Sequence, residues 1–112
     1  MSAAKLIVMY PTPKDLDAFE RDYREKHLPM AAPIFEAAGA TKAVLTKVSG
    51  AMTGTAPIHR IAEIHFASQE ALNACLASQQ GRDALGNARD ISNGGAPTIL
   101  IANEDIVTFG TA

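Results

Sequence analysis

Three features of the sequence predict an α+β fold running strand, helix, strand, strand, helix, strand. Lys5–Tyr10 and Thr98–Ala102 are short apolar runs containing β-branched residues, Ile58–Phe66 alternates apolar with polar residues, and the segments after the first and third strands repeat apolar residues at spacings of three and four. With 112 residues, 47% of them hydrophobic and 20% charged, the chain has material for one packed core. There is room for one domain, 1–112, and none for a separate cofactor module.

Lys5–Tyr10, ended by Pro11, reads as a first strand covered on both faces. Thr12-Pro13-Lys14-Asp15 then offers an N-cap hydroxyl, a proline at the first helical position and an acid three residues after the cap. Leu16, Phe19, Tyr23 and His27 follow on one helical stripe. Pro29 and Pro33 interrupt the pattern, so a break is expected near Leu28-Pro29, with a second helical piece closing at Gly39.

Thr41–Ser49 reads as the second strand and Gly54–Pro57 as a loop. In the third strand, Ile58–Phe66, alternation puts Ile58, Ala62, Ile64 and Phe66 on one face and His59, Ile61, Glu63 and His65 on the other. Ser68 can cap a helix carrying Leu72, Cys75 and Leu76 on one side and stopping near Gly81; a weaker helical stretch covers Arg82–Arg89. Asn93-Gly94-Gly95 is a turn, Thr98–Ala102 the fourth strand, and Ile106–Phe109 extends it or folds back.

This order is the ferredoxin-like βαββαβ arrangement, a four-stranded antiparallel sheet with both helices on one face. Two helices leave the other face bare. Its apolar residues call for a partner, and a homodimer joining two such faces supplies one.

Ten basic against twelve acidic residues give a net charge of −2, and neither half of the chain is basic. With no Trp and no run of Lys or Arg, nucleic-acid binding is excluded as a reading. Cys75, the single cysteine, has no internal disulfide partner, and Leu6–Tyr10 is too short for a signal or membrane segment, so a cytoplasmic protein without membrane association is expected.

At Tyr10-Pro11, at Phe19–Pro29 (FERDYREKHLP), at Ala62–Ser68 (AEIHFAS) and at Gly94-Gly95-Ala96-Pro97, the sequence resembles the EthD family over nearly its whole length. The most specific part is the helix ending in Glu-Lys-His-Leu-Pro followed by the Ala-Glu-Ile-His-Phe strand. The resemblance implies a dimeric α/β barrel. That superfamily includes cofactor-free monooxygenases, lactone isomerases, polyketide cyclases and dehydratases acting on small apolar or aromatic compounds, alongside accessory proteins of unassigned chemistry. Ile91 departs from the pattern, standing where relatives carry an aromatic before the Gly-Gly turn.

His27 is the leading catalytic candidate, because its stripe points it at the sheet beside the helix end. The alternative is a buried neutral His capping its own helix. Glu63 is the second, since a carboxylate in mid-strand needs a partner. Paired with His27 it would hold the imidazole in one tautomer as a base; otherwise it forms an ion pair with Arg60, Lys47 or a second subunit.

Tyr10, Tyr23 and His65 are candidate substrate contacts, with aromatic packing the competing role for both tyrosines. A metal is not expected, because His59 and Glu63 lie roughly 13 Å apart at about 3.3 Å per residue, and neither HExxH nor CxxC is present. Cys75 reads as inert, and Asn93-Gly94-Gly95 lacks the helix a phosphate loop requires.

The reading that follows is a cofactor-independent protein for a small, largely apolar or aromatic ligand. Lyase, isomerase and oxygenase chemistry all remain open. The rivals are a binding or accessory module without turnover and a dimer without ligand.

Overall fold

The structure, a computed structural model, describes residues 3–110. Four strands, β1 (Ala4–Pro11), β2 (Ala40–Lys47), β3 (Ile58–Phe66) and β4 (Thr98–Asn103), form one antiparallel sheet in the order β2-β3-β1-β4. Helices α1 (Leu16–Asp22), α2 (Leu28–Ala37), α3 (Gln69–Ala77) and α4 (Gln79–Ile91) connect them, with a π-helical turn at Tyr23–His27 between α1 and α2. This is the expected ferredoxin-like order.

Register explains the core. Leu6 lies opposite Ile64 and Ile101, and Val8 opposite Ala62 and Ile99, so these side chains share the face beneath the helices. Ala4, Leu6, Val8 and Tyr10 are buried there, together with Phe19, Tyr23, Phe35, Leu72, Ala84 and Ala88. The intervening residues of β1 are only half-buried, so the strand is covered on one face rather than two. On the open face Lys5, Ile7 and Met9 lie opposite His65, Glu63 and Ile61.

Alternation in β3 fails at its start. The register shifts between Tyr10, opposite Arg60, and Pro11, opposite Ile58, leaving His59 as an extra residue. The bulge turns His59 to the helix side with Arg60, where both reach Glu20.

Helix boundaries differ from expectation for local reasons. The cap of α1 is Asp15, not Thr12: its carboxylate accepts from Ala18 N at 3.0 Å, while Thr12 Oγ1 donates to Ala56 O at 2.7 Å. The break expected at Leu28-Pro29 is a widening instead. Leu28 N–H bonds to Tyr23 O five residues back, and the wider turn relieves the clash that the Pro29 ring would make with the preceding turn.

Ser68 caps α3 as expected, but that helix ends at Ala77 rather than near Gly81. Ser78 then starts α4, accepting from Gly81 N at 3.0 Å, so the weak stretch at Arg82–Arg89 belongs to a 13-residue helix. Ile106–Phe109 forms no strand and stands exposed.

The turn Asn93–Gly95 is locked to the other end of the first crossover. Asn93 Oδ1 accepts from Asp15 N at 3.0 Å and its amide donates to Asp15 O at 2.9 Å. Gly94 lies so close to the Thr12 carbonyl that a Cβ would fall 1.9 Å from the oxygen.

Candidate functional site

Tyr10 stands at the helix-side end of β1, and Phe19, Tyr23 and His27 face it from α1 and the π-helical turn. All four are buried. Phe19 and Tyr23 stack at 5.6 Å, Tyr23 and His27 at 6.0 Å, and Tyr10 enters edge-on at 5.2 Å from Phe19 and 5.6 Å from Tyr23. The three rings repeat at four-residue spacing along the helix axis, which makes them a column.

The column has a polar end. His27 Nδ1 lies 2.9 Å from Asn87 Oδ1, an oxygen that only accepts, so the ring proton sits on Nδ1. Nε2 is then the lone-pair nitrogen, and Tyr10 Oη donates to it across a long 3.4 Å. Burial lowers the His27 pKa below its ordinary 6.5 and the Asn87 bond only partly offsets this, so the imidazole is neutral at pH 7. Burial, helped by Tyr23, raises the Tyr10 pKa far above 10 and keeps its proton in place. Tyr23 Oη is buried with no hydrogen-bond partner.

A second cluster braces the first. Arg60 grips Glu20 with Nε at 3.0 Å and Nη2 at 2.7 Å, and its guanidinium lies 5.1 Å from the centre of the Tyr23 ring. Chiefly through Arg60, with His59 adding 3.1 Å from the other side, the Glu20 pKa is held down at about 2. Arg60 is therefore the partner of Glu20, not of Glu63.

The structure separates the two catalytic candidates. Ala62, Ile64 and Phe66 take the helix-side face of β3, so Glu63 falls on the open face, where Lys5 Nζ donates to it at 2.6 Å. His27 is on the helix side, and the expected Glu63–His27 pair does not form; Asn87 occupies the position beside Nδ1 that Glu63 was expected to fill. His65 shares the open face with Glu63 and lies 3.3 Å from Glu104. Tyr10, Tyr23 and His27 come together, and Glu63 and His65 gather elsewhere. Tyr10 is at the centre of the aromatic cluster and fully buried.

Asn87 was missed in the sequence, although a signal exists. Ala84, Ala88 and Ile91 form the inward stripe of α4, and Asn87 is the polar residue adjoining that stripe. Glu20 and Arg60 are paired across a long stretch of sequence, and His59 joins them through a bulge that alternation does not anticipate.

Three surface clefts open elsewhere. One of about 480 Å3 lies between Pro33, Ile34 and Ala37 of α2 and Ala74 and Cys75 of α3. Another of about 300 Å3 lies under the β2 edge among Ala32, Phe35, Ala43 and Ile64. The third, of about 410 Å3, lies along the β2–β3 loop beside His59. His27 lines none of these three. Among the described residues, no group of three or more His, Cys, Asp or Glu is placed to hold a metal ion, and no helix is long and apolar enough to cross a membrane.

Fold and site together define a ferredoxin-like α+β protein with a buried Tyr–His pair beneath its helices. The model of the EthD domain matches residues 12–90, and the chain belongs to the EthD family. An uncharacterized 11.0 kDa protein of Rhodococcus erythropolis is 25% identical over 104 residues, 92% of this chain and 96% of that one. The crystal structure of an EthD family protein of Bacillus halodurans superposes with a TM-score of 0.82 at 24% identity, covering 92% of this chain and 99% of the other. A dimeric ferredoxin-like protein of unknown function from Jannaschia has a TM-score of 0.69 at 16% identity, covering 93% and 99%.

Proposed function

We propose that the protein binds a small, largely apolar or aromatic molecule against the Tyr10–Tyr23–His27 column and moves a proton on it without a cofactor. The observation that carries this reading is Tyr23 Oη, a buried hydroxyl without a hydrogen-bond partner in the protein, on a ring stacked 6.0 Å from the neutral His27 imidazole. A buried unpaired hydroxyl is costly, and a ligand oxygen between Tyr23 and Tyr10 would satisfy it. The long Tyr10–His27 bond exchanges readily for one to a ligand, leaving Nε2 free to take a proton and return it. Such a shuttle suits lyase or isomerase chemistry, and the same groups serve an oxygenase that begins by deprotonating its substrate. Asn87, on α4, is partly exposed to solvent.

The reading includes a cytoplasmic homodimer in which the open sheet faces meet. Ile7, Met9, Ile61 and Leu100 lie on that face with the Lys5–Glu63 pair among them. That the Jannaschia protein of the same fold is named dimeric supports a dimer.

The test is a panel of small apolar and aromatic compounds screened by thermal shift and by imidazole NMR, on the parent and on Tyr23→Phe and His27→Gln. Compounds that raise the melting temperature of the parent and shift the His27 resonances, but lose both effects in His27→Gln, support the site. Turnover abolished in His27→Gln identifies an enzyme, whereas binding without turnover identifies the accessory role. Compounds that stabilise all three proteins equally overturn the assignment.

A further inference from the structure

The carboxylate–imidazole pair that fails to form between Glu63 and His27 exists elsewhere in the molecule. Glu20 Oε2 lies 3.1 Å from Nε2 of His59. With its pKa held at about 2, Glu20 is ionised at neutral pH and can only accept, so the imidazole proton sits on Nε2. In the neutral ring the lone pair is then on Nδ1, which has no hydrogen-bond partner among the described residues.

Two features of the fold aim this ring. The β1–β3 bulge turns His59 to the helix side, and re-aiming a side chain is a recurrent use of bulges beside active sites. Phe19 meets the imidazole edge-on at 5.7 Å. The series of rings therefore runs from His59 through Phe19 and Tyr23 to His27, with an imidazole at each end.

His59 also forms part of the wall of the cleft of about 410 Å3 along the β2–β3 loop. Small-molecule sites occupy roughly 300–1,000 Å3, so the cleft can take a compound of one or two rings. Both ends of the loop are pinned. Thr12 N donates to Pro57 O at 3.2 Å and Thr12 Oγ1 to Ala56 O at 2.7 Å, while Val48 N donates to His59 O at 2.8 Å. Gly50 and Gly54 leave stretches of the wall without side chains, and Thr12, Ser49 and Thr55 are its hydroxyl residues.

Charge decides what such an imidazole can act on. Around Glu20 stand Arg60 at 2.7 Å, Arg24 at 3.9 Å and Lys47 at 4.0 Å, three cations to one carboxylate. The surplus is positive, so an anion formed beside His59 is stabilised by charges already in place.

We propose that His59 is a second proton-transfer residue, taking the proton of a phenol or enol bound in the loop cleft, with Glu20 as its positioning residue. The O–H bond of the ligand breaks, an N–H bond forms at Nδ1, and the electron pair stays on the ligand oxygen as phenolate or enolate. Returning the proton to oxygen reverses the step; returning it to carbon converts an enol to its carbonyl isomer, and nothing is oxidised or reduced. Glu20 keeps the Nε2 proton in place and offsets the charge of the imidazolium. Tyr10, Tyr23 and His27 do not line this cleft, so the two sites can fail separately.

The probe is para-nitrophenol, whose phenolate absorbs where the phenol does not. Spectra are recorded about one pH unit below the pKa of the free phenol for the parent, His59→Gln and Glu20→Gln, with far-UV circular dichroism as the check on folding. Saturable binding with growth of the phenolate band is expected for the parent. His59→Gln is expected to lose the band and to bind about tenfold more weakly, as the loss of one charge-assisted hydrogen bond implies. Glu20→Gln is expected to bind the phenol and ionise less of it, whereas a cluster with a purely structural role would lower stability without moving the band, which overturns the positioning role. An unaltered band in His59→Gln overturns the proposal, and its loss in His27→Gln instead assigns the proton transfer to the aromatic column. No binding by the parent overturns the cleft site and leaves the column standing.

Discussion

Tyr10 Oη and His27 Nε2 face each other at 3.4 Å across the boundary between sheet and helices, and Asn87 holds the opposite nitrogen of the same ring at 2.9 Å. The imidazole is thereby fixed in orientation and tautomer by one residue from a strand and one from a distant helix. Its proton affinity is set by burial against that single amide bond.

Replacing Asn87 by Asp places a negative charge against the Nδ1 proton. His27 of the parent titrates below 6.5, and in Asn87→Asp it is expected to titrate above that value, as followed by imidazole NMR. Unchanged titration would mean that Asn87 does not hold the ring in solution.

Glu63→Gln serves as the contrasting case. Lys5 holds that carboxylate on the other face of the sheet, so the His27 titration is expected to stay where it is in the parent. A shift comparable to that of Asn87→Asp would restore the pairing that the structure separates.

His27→Ala leaves Tyr10 Oη and Asn87 Oδ1 without their partner and opens a cavity in the aromatic column. A loss of about 2–4 kcal/mol in urea unfolding is expected, larger than the 1–2 kcal/mol or so of a surface helix-terminal histidine. A loss under about 1 kcal/mol would show that the ring is not packed as described.

Acid should weaken the fold in two stages. The His27 pKa is lowered on folding, so its contribution is fully present above 6.5 and is lost as pH falls from there through the folded value. Glu20 is lowered from 4.5 to about 2, so its contribution is present above 4.5 and is lost as pH falls toward 2. Glu20 lies near the surface, where solvent screening reduces its share to about 1–2 kcal/mol. Denaturant midpoints measured from pH 8 to pH 2 are expected to show both declines, and Glu20→Gln to lose the lower one.

The order of elements along the chain and the ranges of β3 and β4 were legible because they rest on period-two patterning and β-branched runs that tertiary contacts reinforce. The inward placement of Tyr23 and His27 was legible for the same kind of reason: a stripe at four-residue spacing has one inward direction. What was not legible depends on events one residue wide. The β1–β3 bulge sends His59 to an unexpected side, and the π-helical turn carries the chain through Pro29 without a break. The face of Glu63 was equally open in the sequence, since alternation relates residues to one another and not to the helices. Lys5, which settles its pairing, comes from 58 positions away.

Gly94→Ala is expected to be among the most destabilising single-methyl additions in the chain. The added carbon would fall 1.9 Å from the Thr12 carbonyl oxygen, and backbone rather than a mobile side chain must yield. A loss of at least about 2–3 kcal/mol is anticipated in thermal or urea unfolding. Gly86→Ala, with open space at the same point, is expected to be neutral or stabilising.

The π-helical turn has a bearing on how this segment tolerates insertions and deletions. Each residue of an α-helix advances the azimuth by about 100°, so the wide turn amounts to one residue of slack between α1 and α2. Removing any one of Arg24, Glu25 or Lys26 would let the helix close into regular geometry while swinging everything beyond it through that angle. Phe35 and Ala31 would leave the core for solvent, or, if α2 kept its seat, Phe19 and Tyr23 would rotate away from Tyr10. The column of rings and the packing of α2 are thus phased to each other through a single surplus residue, and a helix made more regular here would be a helix aimed at the wrong place.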